Sequence, residues 1–137
     1  MAVYEDIIFL IGCPRSGTTL LNNLLREELD IGFANELQLI PKYYRHLKRY
    51  GNLKVEENLT RLIRSILQEP YFSLFERVYS RKYNKHLKIT EDQIRNNLPE
   101  NSLAGVIYAL LKSTADLLGK KFVGNKHISM GLHLEWL

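Results

Sequence analysis

The chain has a single cysteine, Cys13, with four prolines and one tryptophan among its 137 residues. One thiol excludes a disulfide framework within the chain and points to a reducing compartment. No apolar run approaches the roughly 20 residues of a membrane span. The opening MAVYEDIIFLIG is acidic where a secretory signal is basic. Both absences fit a cytoplasmic protein with no membrane partner. The histidines, His46, His86, His127 and His133, are scattered, and no metal-ligand spacing occurs. Repeats and low-complexity tracts are missing as well. What remains is 45% hydrophobic and 25% charged, which supports one core and most simply one domain over residues 1–137.

Acid is scarce in two stretches of this mildly basic chain, whose net charge is +4. Between Lys42 and Arg64 stand Arg45, Lys48, Arg49, Lys54 and Arg61, against Glu56 and Glu57 alone. Arg77, Arg81, Lys82, Lys85 and Lys88 follow with no acid between them. These runs read either as solvated helix faces or as a field that draws anions to a cleft. No aromatic-basic motif of a nucleic-acid reader accompanies them.

DIIFLI (6–11) is a short apolar run bounded by Gly12 and predicts a buried parallel strand. Apolar residues at 20, 21, 24, 25 and 29 predict a helix from Thr18. DIGFANE (30–36) predicts a turn into a short strand. Further helices are expected over 37–50, over 55–68 before Pro70, and through YFSLFERVYSRKY. Thr90 with Gln93 forms a capping box for a short helix, and Ser102–Leu118 is a long helix ended by Gly119. KKFVGNK (120–126) is the remaining strand candidate. The order implies an α/β fold: a P-loop-like parallel sheet with a mostly helical insertion over 37–118. The aromatic residues of that insertion, Tyr43, Tyr44, Tyr71, Phe72, Phe75, Tyr79 and Tyr83, read as core or cleft lining.

The chemistry concentrates in IIFLIGCPRSGTTLLNNLL (7–25). Gly12 and Gly17 have the spacing of a Walker A loop and Thr19 its Ser/Thr position, but Thr18 replaces the lysine and Arg15 lies inside the loop. A strand, a glycine-rich turn and a helix start aim several amides and the positive dipole end at one point, which favours an anion. Arg15 adds a planar fork suited to phosphate oxygens. Without the Walker lysine, such a loop suits a phosphate that is itself a leaving group. A cysteine phosphatase is excluded, because Thr19 stands where that loop needs arginine. The bare alternative is a tight turn with no ligand.

GCPRSGTTLL resembles the 5'-phosphosulfate loop of sulfotransferases that use 3'-phosphoadenosine 5'-phosphosulfate (PAPS), especially the bacterial and tyrosylprotein branches, whose loop reads P-R-S-G-T-T. The resemblance implies that Arg15, Ser16, Gly17, Thr18 and Thr19 hold the 5'-phosphate and sulfuryl oxygens. NELQLIP (35–41) is similar to the segment that supplies the catalytic base in the tyrosylprotein branch, which implies that role for Glu36. Taken alone, Glu36 reads as a first-turn charge balancing a helix dipole. KKFVGNKHIS (120–129) is similar to the family's strand ending in Asp-Lys-Thr-Pro or Asn-Lys-Asp-Pro, which makes Lys126 the lysine that stabilises the transition state. Taken alone, Lys126 is a surface lysine at a strand end, and His127 beside it a surface histidine. His127 and Ile128 depart from the family's pattern.

By this resemblance the chain is a sulfotransferase with Arg15, Glu36 and Lys126 as its catalytic set. It would take PAPS as donor and a hydroxyl-bearing glycan, peptide or small molecule as acceptor. No Arg-Asp-Pro-Arg segment for the 3'-phosphate is found, so the expectation is the first part of the family's fold, truncated and weak in unaided turnover. Two readings stand beside it. One is a degenerate P-loop nucleotide binder with Mg-dependent ATP affinity; the other is a non-catalytic interaction module derived from a sulfotransferase. A sheet of so few strands leaves edges that invite self-association.

Overall fold

The computed structural model describes residues 6–35 and 39–127. Strand β1 (Ile7–Leu10) and strand β2 (Ile31–Asn35) frame helix α1 (Thr18–Glu28), and β3 (Phe122–Lys126) closes the described chain. The strands form one parallel sheet in the order β1-β3-β2. The last strand in sequence is thus the central one, and Val123 through Lys126 are buried along it. Ile7 pairs with Val123 on one side of β3, and Gly32 pairs with Val123 on the other. This is the α/β class with a parallel sheet that the run of apolar segments implied.

Between β2 and β3 lie α2 (Leu39–His46), a 3-10 turn (Leu47–Tyr50), α3 (Glu56–Leu67), α4 (Pro70–Tyr83), α5 (Glu91–Asn96) and α6 (Leu103–Leu117). Their ends follow local chemistry. Glu56 and Glu57 offset the dipole at the start of α3, and Pro70 opens α4 where its missing N–H costs nothing. Thr90 and Gln93 form the reciprocal capping box on α5, and Ser102 Oγ accepts from Gly105 N–H at 2.9 Å on α6. Leu62, Ile63 and Ile66 of α3, Ile94 of α5 and Val106 and Leu110 of α6 are fully buried together, each worth about 1.5–3 kcal/mol of burial. Tyr43, Phe72, Phe75 and Tyr79 join this core. Tyr44 and Tyr83 stay exposed.

Part of the first basic run serves this framework. Lys42 pairs with Glu69 at 2.6 Å, Arg64 with Glu91 at 2.9 Å, and Arg61 donates to the Tyr50 carbonyl at 3.1 Å. Tyr43 also donates to Glu69 at 2.6 Å. Burial first, and then this bond, raises the Tyr43 phenol above its ordinary pKa. These cations are structural ties rather than members of a free anion-drawing surface.

The sheet is clothed on both faces, and strand alternation tells which helix takes which. A Cβ on Gly32 would lie 2.5 Å from Ala115 Cα, so α6 seats directly against β2. Val123 shares that face, and Lys126, three residues on, points to the other face and reaches α1. The packing of α1 is unusual. Its leucines Leu20, Leu21 and Leu24 are exposed, whereas Asn22 and Arg26 are buried. The helical period was legible in the leucines, but the face turned inward is the polar one. Among the described residues no helix is long and apolar enough to cross a membrane.

Candidate functional site

The loop from Gly12 to Thr19 leaves the sheet at the carboxyl end of β1, the edge where parallel α/β sheets hold ligands. Ser16 N–H donates to the Cys13 carbonyl at 3.3 Å, closing a turn in which Arg15 has φ 65°. That left-handed conformation is costly for a side chain other than glycine. Gly17 follows at φ 83° as the residue before α1, and no side chain caps the helix. The unpaired N–H groups of the first turn are therefore left for an outside acceptor. At Gly12 a Cβ would lie 2.6 Å from Thr18 Cγ2, so the helix start folds back over that glycine. Arg15, Ser16, Gly17 and Thr19 are exposed, and Thr18 is half-buried.

Lys126 meets this loop from the other end of the sequence. Its Nζ donates to Thr19 Oγ1 at 3.0 Å across 107 positions. The expected surface lysine is instead only 5% exposed. The cause is the sheet order: β3 is central, so its last residue ends between β1 and β2 rather than at an edge. His127, likewise expected at the surface, is 4% exposed, and its N–H extends the ladder by donating to the Leu10 carbonyl at 3.2 Å. The register also sets Asn35, the last residue of β2, opposite Lys126. Glu36, the residue after it, lies outside the described residues. So do Ile128 and His133.

Arg15, Ser16, Gly17, Thr18, Thr19 and Lys126 thus gather at one corner. An arginine, a lysine, hydroxyls and uncapped amides are chemically a set of donors for a multiply charged oxyanion. Thr19 and Lys126 also border a cavity of about 420 Å³ between α1 and α4, shared with Asn22, Arg26 and Tyr79. Those inward residues of α1 were missed by reading the sequence, although Asn22 and Arg26 stand one turn apart on a helix otherwise rich in leucine. A hollow of about 500 Å³ beside Glu69, Glu76, Glu91, Arg64 and Lys88 is larger, but no loop residue lines it. Among the described residues no group of three His, Cys, Asp or Glu could hold a metal ion.

No curated protein and no solved structure matches the chain. The family model described as "Sulfotransferase family" matches residues 6–137.

Proposed function

This chain belongs to the sulfotransferase family, and from that premise we propose that it binds PAPS at loop 12–19 and passes the sulfuryl group to an acceptor hydroxyl. The observation that carries the proposal is the hydrogen bond from Lys126 Nζ to Thr19 Oγ1 at 3.0 Å. It joins the strand-end lysine to the phosphate-type loop, two features that the sequence holds far apart.

The donor set fits a 5'-phosphosulfate. It offers cations, hydroxyls and helix-start amides, with no carboxylate among Arg15, Ser16, Gly17, Thr18, Thr19 and Lys126. The donor molecule supplies an activated sulfuryl group whose leaving oxygen belongs to a phosphate. Arg15 would grip phosphate oxygens through its planar fork, and the amides of α1 would add the positive end of the dipole. Thr18 and Thr19 would donate through their hydroxyls. Lys126 would neutralise the charge that grows on the oxygen between phosphorus and sulfur. Sulfuryl transfer resembles phosphoryl transfer in its loose in-line transition state, so positioning and charge stabilisation dominate. Each preorganised donor at such a site is worth roughly 2.7–4 kcal/mol.

Glu36 is proposed as the base that takes the acceptor's proton. The pairing of Asn35 with Lys126 supports this, because β2 delivers the chain beside the lysine one residue before the glutamate. Residues 37–118 would then supply walls for the acceptor. Calorimetry with 3'-phosphoadenosine 5'-phosphate (PAP), PAPS and Mg-ATP tests the reading. PAP and PAPS should bind without metal, and Arg15→Ala should abolish both. Metal-dependent ATP affinity alone would favour the P-loop nucleotide binder. Silence toward all three would favour an interaction module.

A further inference from the structure

The cavity between α1 and α4 has two kinds of wall. Arg26, Lys82 and Lys126 bring positive charge to it, and among the described residues no carboxylate lines it. Arg26 is 5% exposed, with its guanidinium 5.3 Å over the Tyr79 ring. Asn22 is 2% exposed, and its Oδ1 accepts no hydrogen bond from the described residues. A buried amide oxygen left this way favours a ligand that brings a donor. Leu74 and Val78, on α4 with Lys82, add an apolar patch that remains exposed to water. An occupant must therefore satisfy cations and also cover hydrocarbon.

Length adds a second constraint. Thr19, at the loop, and Arg26 are seven residues apart on one helix, a rise of about 10 Å. An occupant touching both ends needs its hydroxyl and its anion separated by a spacer of that order, which a flat ring with a short arm provides. The volume, about 420 Å³, is that of a site for a small organic molecule.

We propose that this cavity seats the acceptor, and that the acceptor is a hydroxyaryl carboxylate. Its carboxylate faces Arg26 and Lys82, its ring lies along Leu74, Val78 and Tyr79, and its hydroxyl points to the Thr19–Lys126 corner. The inference rests on the sulfotransferase reading of that corner. In the transfer the aryl oxygen forms a bond to sulfur as the bond from sulfur to the phosphate oxygen breaks. The electron pair leaves on the phosphate, and the hydroxyl proton passes to the base proposed at Glu36.

The test is titration of 4-hydroxyphenylacetate, and of its neutral analogue 4-hydroxyphenylacetamide, into the full chain with and without saturating PAP. The acid should bind about tenfold more tightly than the amide. Leu74→Trp, which fills the mouth, and Lys82→Ala should each weaken the acid about tenfold and leave PAP affinity unchanged. Both positions are exposed, so these variants fold where Arg26→Gln can fail to. Lys48→Ala with Arg49→Ala, outside the cavity, should change neither affinity. PAP binding without preference for the acid, or acid binding indifferent to Leu74→Trp, overturns the cavity assignment and leaves the donor reading standing. Preference for the acid without PAP binding overturns the acceptor role together with the donor reading.

Discussion

Arg15 occupies a backbone position suited to glycine. A left-handed residue with a β-carbon costs roughly 1–2 kcal/mol, and φ 65° places Arg15 there. Strain retained at an exposed loop is what a binding role would explain, since the guanidinium is then aimed by a turn that does not favour it. Arg15→Gly is accordingly expected to be no less stable than the parent in urea denaturation, and to lose PAP affinity as fully as Arg15→Ala. A large loss of stability in Arg15→Gly would mean that the side chain holds the loop rather than a ligand. Lys126 makes a sharper claim on catalysis. Lys126→Met keeps the aliphatic stem and removes the charge, so kcat is expected to fall about 10²–10³-fold. Under the proposed role the fall should exceed any change in KM, because the charge Lys126 would answer develops only in the transition state. Equal effects on both constants would assign Lys126 to ground-state binding.

At the scale of elements, α5 is a short helix fastened from outside. Its box, Gln93 N–H to Thr90 Oγ1 at 3.3 Å and Thr90 N–H to Gln93 Oε1 at 2.9 Å, satisfies two end donors reciprocally. Thr90→Ala is expected to cost about 1 kcal/mol, measured by denaturation. Glu91 follows and binds both Arg64 and Arg95. The Arg64 hydrogen bond, opposed in part by burial and aided by Arg95, holds its carboxyl below the ordinary 4.5. Because the folded value is the lower one, this contribution is present above pH 4.5 and fades as pH falls through the folded value. The stability gap between the parent and Glu91→Gln should therefore narrow on going from pH 7 into that acid range. A gap independent of pH would show that the ion pairs contribute nothing. The Thr90–Gln93 box was legible because it acts on neighbours within one turn. The loop was legible for the same reason, as its glycines, hydroxyls and arginine are contiguous. The burial of Lys126 and His127 was not, since it follows from β3 entering between β1 and β2, a tertiary choice with no local signature. Nor was the inward face of α1: leucines give a helix its period without saying what stands beside them.

At the scale of the whole molecule, the described chain has an imbalance between its two ends of structure. The helices between β2 and β3 bury their apolar faces in a common core, while β1 adds only the partly buried Ile7 to it and α1 leaves most of its leucines outside. Leu20 is 66% exposed, with Leu21 and Leu24 beside it, and Ile8 and Ile11 are partly exposed on or next to β1, an edge strand among the described residues. Parallel sheets normally have both faces and most edges covered, and a strand edge beside an apolar patch is a template for association. The ion pairs Lys42–Glu69, Arg64–Glu91 and Arg95–Glu56 lie past β2 in the chain rather than on β1 or α1. A polypeptide of residues 1–137 is thus expected to associate as its concentration rises, through this side of the molecule. Leu21→Glu with Leu24→Lys should shift sedimentation velocity toward the single chain at the same concentration, with helical circular dichroism unchanged. Replacing the exposed Val55, ahead of α3, with a polar residue should have little effect on association. If the α1 pair leaves the sedimentation profile as it was, the open strand and its leucines are not what joins the chains.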